Sequence, residues 1–428
     1  MAKNFSVMEQ IKKTDPDKYR WISSDQGSSR RMEAGKLTVA VDLTALGERM
    51  SGLERYAYRI TEALIHTTRK VRFILVVRNE VPALLQDWRN ISRVSFCVIK
   101  GENKLLVNQL RLPVVMKKLR ADRYLFPAFP VPLRFKMPNT YGLIADLACF
   151  HCPETMKRSS VMFFRKGYAH TVKNCYKVIT ISQESRNNIL FKYSYIRRKV
   201  IEKEDVILAP CAPDKKARRP AENVIEAVRA KYGLPEKYWL CLCTMEPRKN
   251  LPMLLQAYRE LRQAGEVLPP LVLAGRDGWK NKKLHEEISR FESEETGSTD
   301  DILYMKSLYV MGAVPEEDLP ALYAGAECFL FPSKYEGFGL PPLEAQSYGV
   351  RKIVVSDIPV LREVMGNTAF YFANTPEDLK KALLQARVWQ GCSANKMQRN
   401  LARFSWRRSA EAIWKEMEKD ERAWMERL

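Results

Sequence analysis

Long apolar runs are missing from this 428-residue chain. A helix needs roughly 18 or more consecutive apolar residues to span a bilayer, and no run in the sequence reaches that length. The first residues, "MAKNFSVMEQIKKTDPDKYRW", also lack the apolar core of a secretory signal. We therefore expect a cytoplasmic protein that meets membranes only at their surface.

A disulfide framework is also missing, because the nine cysteines are odd in number and unevenly spaced. Cys149 and Cys152 form a C-x-x-C, and Cys241 and Cys243 lie in an apolar run. A zinc site needs a second pair of ligands, which the sequence does not offer. Buried, reduced thiols in a reducing compartment are the expected state of these cysteines.

The charge is strongly basic and unevenly distributed. The chain carries 71 Lys and Arg against 50 Asp and Glu, a net charge of +21. Residues 1–213 hold 38 basic and 19 acidic side chains, a net +19, whereas residues 214–428 carry only +2. With 46% hydrophobic residues the chain is expected to fold, and its first half is expected to meet an anionic partner: nucleic acid, anionic lipid or a phosphorylated acceptor.

Short apolar runs alternate with helical patterns along the chain. Runs such as "VRFILVV" (71–77) and "KVITIS" (177–182) are continuous rather than alternating, which is typical of parallel strands covered on both faces. The alternation lapses at "PCAPDKKARRPAEN" and then restarts, so the sequence predicts an α/β fold with two Rossmann-like, doubly wound domains. The predicted parts are a weakly ordered extension at 1–36, domains at 37–213 and 214–404, and a long amphipathic helix at 405–428.

One stretch in the second domain, "SKYEGFGLPPLEAQSYG", places Glu336 and Glu344 on either side of a Gly- and Pro-rich turn. A ligand cradle is one interpretation. Glycines let backbone amides approach a ligand, a helix starting near Pro341 or Pro342 favours phosphate, and carboxylates bind sugar hydroxyls. A solvated turn with a capping acid is the other interpretation, and the residues alone leave both open.

This stretch resembles the E-x7-E motif of retaining GT-B glycosyltransferases, in particular glycosyltransferase family 4. "LCTMEPRKNLPMLLQAYREL", "LVLAGRDGW" and "YVMGAVPEEDLPALYAGAECFLFPSKYEGFGLPPLEA" match further blocks of the family in order. "SGLERYAYRI", "ADLACFHCPE" and "VITISQESRNNI" fit more weakly in the first half. The resemblance spans about residues 37–428. It implies a GT-B fold: an acceptor-binding domain and a nucleotide-sugar-binding domain facing a cleft, with the last helix crossing back to the first domain.

The resemblance also implies roles for individual residues. Lys249, aided by Arg248, would bind the departing diphosphate, Glu336 would contact the donor sugar near its reacting face, and Glu344 would hold the ribose. Fixed cations would replace a metal ion, and no cofactor is implied; the acidic "DPD" at 15–17 lies in the weakly ordered extension. The remaining implied contacts are the backbone of Phe338, Gly339 and Leu340 to phosphates and sugar, the backbone of Gly312, Ala313 and Val314 to the base, and Gly52 and Asp146 on the acceptor side.

Two departures from the family pattern bear on activity. Ala145 precedes Asp146 where the family usually has a histidine that contacts the transferred sugar, and Cys243 replaces a glycine near the phosphates. His151 is a candidate replacement, although a histidine beside a C-x-x-C is more often incidental. A nucleotide-sugar-binding subunit with impaired turnover is therefore the main alternative to an active enzyme. A nucleic-acid-binding protein, which charge alone favours, and a sugar-nucleotide epimerase are the others.

The resemblance makes the basic half the acceptor domain. The segment 156–177, "MKRSSVMFFRKGYAHTVKNCYK", mixes basic residues with Phe163 and Phe164, which fits either a helix on anionic lipid or core aromatics beside solvated charges. The function implied is a metal-independent, retaining hexosyltransferase. Its acceptor would be a saccharide, lipid-linked, in bacterial surface polysaccharide or lipopolysaccharide biosynthesis at the cytoplasmic face of the inner membrane. No nucleic acid partner is expected.

Overall fold

The computed structural model describes residues 19–23, 37–47, 50–68, 70–194, 201–214, 217–296 and 306–425. Contacts divide the chain into two units. The first unit comprises the described residues within Met1–Leu147, Ser159–Pro210 and Trp406–Leu428. The second comprises those within Ala148–Arg158 and Cys211–Ser405. The stretch Ala148–Arg158, which the sequence places in the first domain, thus groups with the second unit.

The first unit contains an eight-stranded sheet in the order β1-β4-β3-β2-β5-β6-β7-β8. Seven strands are parallel, and β1 pairs antiparallel with β4 at one edge. β1 lies within the extension that the sequence predicts at 1–36. The strands are β1 (Tyr19–Ser23), β2 (Thr38–Asp42), β3 (Arg72–Arg78), β4 (Val94–Ile99), β5 (Arg123–Phe126), β6 (Thr140–Leu143), β7 (Lys177–Thr180) and β8 (Val206–Leu208).

Helices of the first unit begin at recognisable signals. Ser51 caps α1 (Gly52–Thr67) through a capping box with Glu54, which satisfies backbone N–H groups at the helix start. A π-helical turn, Val107–Arg111, joins α2 (Lys104–Leu106) to α3 (Leu112–Leu119). The last helix, α15, belongs to this unit, as the resemblance implies for the final helix. The helices are α2 (Lys104–Leu106), α3 (Leu112–Leu119), α5 (Arg158–Asn174), α6 (Gln183–Tyr193) and α15 (Trp406–Met425).

The second unit contains a six-stranded, fully parallel sheet in the order β11-β10-β9-β12-β13-β14. Chain order therefore reverses direction between β9 and β12, which is the switch point where doubly wound folds bind ligands beyond the carboxyl ends of their strands. The strands are β9 (Trp239–Leu242), β10 (Leu271–Ala274), β11 (Leu308–Met311), β12 (Cys328–Phe331), β13 (Lys352–Ser356) and β14 (Phe370–Phe372).

Helices cover this second sheet and bury its apolar strands. Trp239 and Tyr258 are fully buried and in edge contact, so β9 is fixed against α8. The helices are α4 (Ala148–His151), α7 (Glu222–Tyr232), α8 (Leu251–Gln263), α9 (Lys282–Thr296), α10 (Leu319–Gly325), α11 (Leu340–Ser347), α12 (Pro359–Met365), α13 (Pro376–Val388) and α14 (Ala394–Leu401).

Helix length and hydropathy bear on membrane insertion. Within the described ranges, every helix is too short or too polar to cross a bilayer.

Candidate active site

Two loops meet at the switch point of the second sheet. One follows β9 and forms a 3-10 turn at Pro247–Lys249, and the other follows β12 and leads into α11. The backbone N–H of Lys334 donates to the carbonyl oxygen of Arg248 over 2.9 Å, which joins the two loops directly. The loops that carry the two sequence motifs are therefore neighbours, although 80 residues separate them in the chain.

Backbone geometry fixes both loops. Asn250 has φ +56° and ends the 3-10 turn before α8, and its side-chain amide donates to Asn374 over 2.9 Å. Gly339 has φ +91° at the start of α11, and a Cβ there would lie 2.4 Å from a methyl carbon of Leu361. The left-handed conformation favours glycine at that position, and any larger residue would also require the Leu361 side chain to shift.

The motif side chains form a buried ionic cluster. Lys249 donates to Glu336 Oε1 over 2.6 Å, and Arg248 donates to Glu336 Oε2 over 2.9 Å. Arg248 also binds Glu246 Oε1 over 2.6 Å, and the Lys249 ammonium lies 4.8 Å from the ring centroid of Phe331. Lys249 and Glu336 are only 7% and 8% exposed. The structure thus brings together the three residues that the sequence assigns to the diphosphate and the donor sugar.

Electrostatics keep the Glu336 carboxylate ionised. Burial by itself raises the pKa of Glu336, but the charges of Arg248 and Lys249 and the hydrogen bond from Lys249 outweigh it, so the pKa lies below its ordinary value. Two cations therefore converge on one carboxylate in a site of low exposure. An anionic ligand at these loops would meet both cations, with the carboxylate as its competitor.

Glu344 occupies a separate, half-buried position on α11. Its Oε2 accepts a hydrogen bond from the Tyr323 hydroxyl over 3.1 Å. Tyr323 also stacks on Tyr348 at 5.6 Å between ring centroids, with 17° between their planes. This arrangement holds the carboxylate in place beside two aromatic rings.

The remaining residues assigned to the donor have different surroundings. Gly312 and Ala313 are exposed after β11, where the Gly312 carbonyl accepts from the Gly275 N–H over 3.1 Å, and Val314 is half-buried. The Phe338 side chain is buried and packs edge-on against Phe404 at 5.5 Å. Gly339 is buried and Leu340 is half-buried.

The two acceptor-side residues belong to the first unit. Gly52 is the first residue of α1, and a Cβ there would meet nothing within 4 Å. Asp146 is half-buried after β6, and Ala145 before it is 4% exposed. Along the chain, Gly52 follows the carboxyl end of β2 and Asp146 follows that of β6, and their acceptor-side roles stay a prediction.

Cys243, which replaces a family glycine, lies at the end of β9. A Cβ on Gly275 would lie 1.8 Å from the carbonyl oxygen of Cys243, so the backbones of these two residues are tightly packed. The pKa of Cys243 lies below its ordinary value because the Cys241 thiol donates a hydrogen bond to it, with the Lys249 charge adding to the effect. All nine cysteines of the chain are buried.

Sequence patterns did not single out Asp42, a buried carboxylate at the end of β2. Its Oδ1 accepts from the Thr44 hydroxyl over 2.7 Å and from the Thr44 N–H over 3.0 Å, whereas Oδ2 is buried without a hydrogen bond. Burial raises the pKa of Asp42 from 3.8 to about 6, although the bonds from Thr44 oppose the rise. An acid directly after a buried strand is the signal that could have found it.

His151, a candidate from the sequence, lies beside the motif loop in the second unit. Its exposed ring stacks on Tyr335 at 5.3 Å, with 18° between the planes, and the Tyr335 carbonyl accepts a hydrogen bond from Arg248. Trp279 and Lys280 fix the same segment by donating to backbone carbonyls of Glu154, Thr155 and Met156.

Among the residues that the structure describes, no three or more His, Cys, Asp or Glu side chains are grouped so that they could hold a metal ion.

Comparisons with known proteins identify the family. The family model for glycosyl transferases group 1 matches residues 224–400, which include both motif loops. O-antigen chain mannosyltransferase B of Escherichia coli is 33% identical over 285 residues, covering 65% of this chain and 70% of that protein. O-antigen chain mannosyltransferase RfbU of Salmonella typhimurium is 24% identical over 376 residues, covering 83% of this chain and 90% of that protein.

Solved structures extend the likeness to the whole fold. HepE of Anabaena, crystallised in complex with UDP-glucose, superposes with a TM-score of 0.65 at 14% identity, covering 90% of this chain and all of that chain. At such low identity the likeness shows the fold alone, which is the GT-B arrangement of two Rossmann-like domains. With the match of residues 224–400 and the extended similarity to the E. coli mannosyltransferase, the chain belongs to the glycosyl transferases group 1 family.

Proposed function

We propose that this protein is a retaining, metal-independent hexosyltransferase that moves a sugar from a nucleotide sugar to a saccharide acceptor. The observation that carries the proposal is the buried cluster in which Lys249 and Arg248 converge on Glu336 at the switch point. Mannose is the favoured hexose, because two relatives are O-antigen mannosyltransferases. Their names also favour a role in bacterial surface polysaccharide synthesis.

The chemistry follows from where charge develops. The acceptor hydroxyl oxygen would bond to the anomeric carbon as the bond from that carbon to the diphosphate oxygen breaks, and the departing nucleoside diphosphate would take the negative charge and accept the hydroxyl proton. Lys249 and Arg248, which the two loops hold in position, would stabilise the developing charge electrostatically. Glu336 would then exchange part of its contact with the cations for hydroxyl groups of the donor sugar.

Nucleoside recognition would use the neighbouring elements. Glu344, held by Tyr323, would accept hydrogen bonds from the paired ribose hydroxyls. The exposed backbone of Gly312 and Ala313 would contact the base, and the backbone of Gly339 the phosphates. Gly52 and Asp146 would act on the acceptor side, in the other unit.

The proposed acceptor is a lipid-linked saccharide at the cytoplasmic face of the inner membrane. The support is the basic first half, with a net charge of +19 over residues 1–213, which would attract an anionic membrane surface. The enzyme would work there as a peripheral protein.

One alternative keeps the donor site but not the turnover. Ala145 is 4% exposed and stands where the resemblance implies a sugar-contacting histidine, so a nucleotide-sugar-binding subunit is the second candidate. Binding of a nucleotide sugar without transfer or hydrolysis would identify it.

Two measurements test the proposal. Thermal shift against GDP-mannose and UDP-, dTDP- and ADP-sugars should show stabilisation by one donor, since a ligand that binds the folded state raises the melting temperature. Transfer to lipid-linked saccharide should then give a product with the anomeric configuration of the donor by NMR. Stabilisation by no nucleotide sugar, or an inverted product, would contradict the proposal.

Lys249→Met is the decisive variant, and Lys334→Met is its matched control. Lys334 lies on the β12 loop with an exposed side chain, and only its backbone contacts Arg248. We expect Lys249→Met to lower kcat/KM by about 100-fold or more, and Lys334→Met to leave it within about twofold.

A further inference from the structure

The helical stretch from α2 to α3 carries apolar residues on both of its faces. Val107, Leu112 and Met116 are buried in the core of the first unit. Leu106 and Val114, in contrast, are 57% and 53% exposed. An amphipathic helix on a water-soluble surface would carry polar residues at the second set of positions.

The exposed apolar side chains form one row, which we call the leucine face. Leu106, Leu110 and Val114 follow at intervals of four, the spacing that places side chains on one face of a helix, and all three are exposed. Leu133 joins the row, because its backbone N–H donates to the Gln109 side chain over 3.1 Å. The face consists of Leu105, Leu106, Leu110, Val114 and Leu133, which are 44–57% exposed.

This face accounts for five of the eleven large hydrophobic side chains that are exposed among the described residues. The other six are spread over both units, in positions such as Met162, Phe191 and Val267. Scattered exposed apolar residues are ordinary, but a contiguous row of them marks a surface that binds a partner.

Charge around the leucine face identifies that partner. Residues 100–136 contain nine Lys and Arg against two acids, Glu102 and Asp122. Lys117 and Lys118 are exposed on the last turn of α3, and Arg134 is exposed next to Leu133. Apolar side chains flanked by basic ones fit the boundary between acyl chains and anionic headgroups. A second copy would instead bring two like charges together, and nucleic acid offers no acyl region for five aliphatic side chains.

We propose that the leucine face is the surface by which this protein docks on an anionic lipid bilayer, with the leucines inserted below the headgroups and the flanking lysines on the phosphates. The inference deepens the proposed function and rests on it for the lipid-linked acceptor. The proposed membrane contact is therefore the leucine face and not the segment 156–177, where Phe163 is half-buried and packs against Phe129 and Phe164. The docking is interfacial, since a row of this length lies on a membrane rather than across it.

Vesicle co-sedimentation tests the docking directly. We expect the full-length protein to bind phosphatidylglycerol-containing vesicles more tightly than pure phosphatidylcholine vesicles, and binding to weaken as salt rises. Leu106→Ser/Leu110→Ser should lower the partition coefficient roughly tenfold or more. Lys117→Gln/Lys118→Gln should lower it by about tenfold on anionic vesicles alone. Every substituted side chain is exposed, and melting temperatures should confirm folding.

Phe191→Ser is the matched control, because Phe191 is 87% exposed on α6 of the same unit. We expect it to bind vesicles like the wild type. Equal binding by the leucine variant, equal binding to neutral vesicles, or loss of binding only in Phe191→Ser would overturn the proposal. A wild-type dimer that the leucine substitutions convert to monomer would overturn it in favour of a second copy.

Donor binding on the same proteins separates this inference from the proposed function. The leucine variant should keep the wild-type thermal shift with a nucleotide sugar in lipid-free solution. If the wild type binds vesicles through the leucine face but responds to no nucleotide sugar, the docking stands and the proposed function falls. If it responds to the nucleotide sugar but ignores vesicles, the docking falls alone.

Discussion

In the proposed mechanism, Glu336 and a bound diphosphate compete for the same two cations, and this competition gives a prediction with an unusual sign. Replacing Glu336 by glutamine should tighten the binding of a nucleoside diphosphate while lowering sugar transfer. Lys249 and Arg248 lie 2.6 and 2.9 Å from its oxygens. In an ordinary buried ion pair with no ligand role, the same substitution would only destabilise the fold.

The magnitude follows from those distances. At an effective dielectric constant of about 20, each ion pair has a gross Coulomb energy of about 6 kcal/mol. A tenfold gain in diphosphate affinity needs only about 1.4 kcal/mol, less than a quarter of one pair. We therefore expect Glu336→Gln to bind UDP or GDP, whichever the wild type prefers, about tenfold more tightly. Its kcat should fall at least about 100-fold, since the contact to the donor sugar is lost.

Stability should respond in the opposite direction. Glu336→Gln leaves Lys249 buried without a carboxylate, which costs about 3 kcal/mol in the absence of ligand. Without ligand, the variant should have a lower melting temperature than the wild type. On adding the diphosphate, its melting temperature should rise by more than that of the wild type. Lys249→Met should be destabilised similarly, because Glu336 then keeps only Arg248, but it should gain less.

Isothermal titration calorimetry with UDP and GDP, run beside thermal shift, checks these expectations. Lys334→Met, on the same loop with an exposed side chain, controls for nonspecific loss of charge. Weaker diphosphate binding by Glu336→Gln, or unchanged binding by Lys249→Met, would refute the assignment of these cations to the diphosphate.

Four further predictions concern other positions. Because the pKa of Asp42 rises to about 6 on folding, its contribution to stability is present at low pH and is lost as the pH rises through 6. Relative to Asp42→Asn, the wild type should therefore gain about 1 kcal/mol of unfolding free energy when the pH is lowered from 7 to 5, measured by denaturant titration. A difference between the two proteins that does not change with pH would contradict this. Gly275→Ala should lower the free energy of unfolding by about 3 kcal/mol or more, since the added Cβ would lie 1.8 Å from a backbone oxygen. Gly312→Ala is the control, because a Cβ there meets nothing within 4 Å, and its free energy of unfolding should stay within about 0.5 kcal/mol of the wild-type value. His151→Ala should raise the KM for the donor several-fold at unchanged melting temperature, and an unchanged KM would exclude it from the donor site. Transfer should survive excess EDTA, and activity lost to EDTA and restored by Mg²⁺ or Mn²⁺ would contradict a metal-independent site.

The fold class was predictable because continuous apolar runs identify buried parallel strands. Four strands were not foreseen from the sequence. Arg123–Phe126, Leu308–Met311 and Phe370–Phe372 have three or four residues each, as do several strands that the sequence did predict, so their length alone does not explain why they were missed. The edge strand Tyr19–Ser23 lies in a polar segment, and its stability depends on pairing with β4, which is a tertiary contact. Short strands depend on neighbours that local patterns do not report.

The site was predictable at the level of motifs but not of contacts. The loop holding Glu336 was identified by its glycines and prolines, and that holding Lys249 by resemblance. Nothing local in either segment shows that their side chains meet at 2.6 Å, because the meeting depends on the strand order that makes β9 and β12 neighbours. Asp42 was missed for a related reason: its burial is set by the sheet around it.

The leucine face could not be predicted, because sequence patterns do not distinguish exposed apolar residues from buried ones. In "KLLVNQLRLPVVMKKL" every apolar residue looks like a core candidate, because periodicity counts hydrophobicity and not its partners. Only the structure separates Val107 and Met116, which are buried, from Leu106 and Leu110, which are not. The excess positive charge of the first half then takes on a specific meaning. Residues 100–136, which include the apolar row, hold a net +7 of that excess, from nine basic and two acidic side chains. That pairing of charge with exposed leucines favours a lipid surface over the nucleic acid that net charge alone would equally allow.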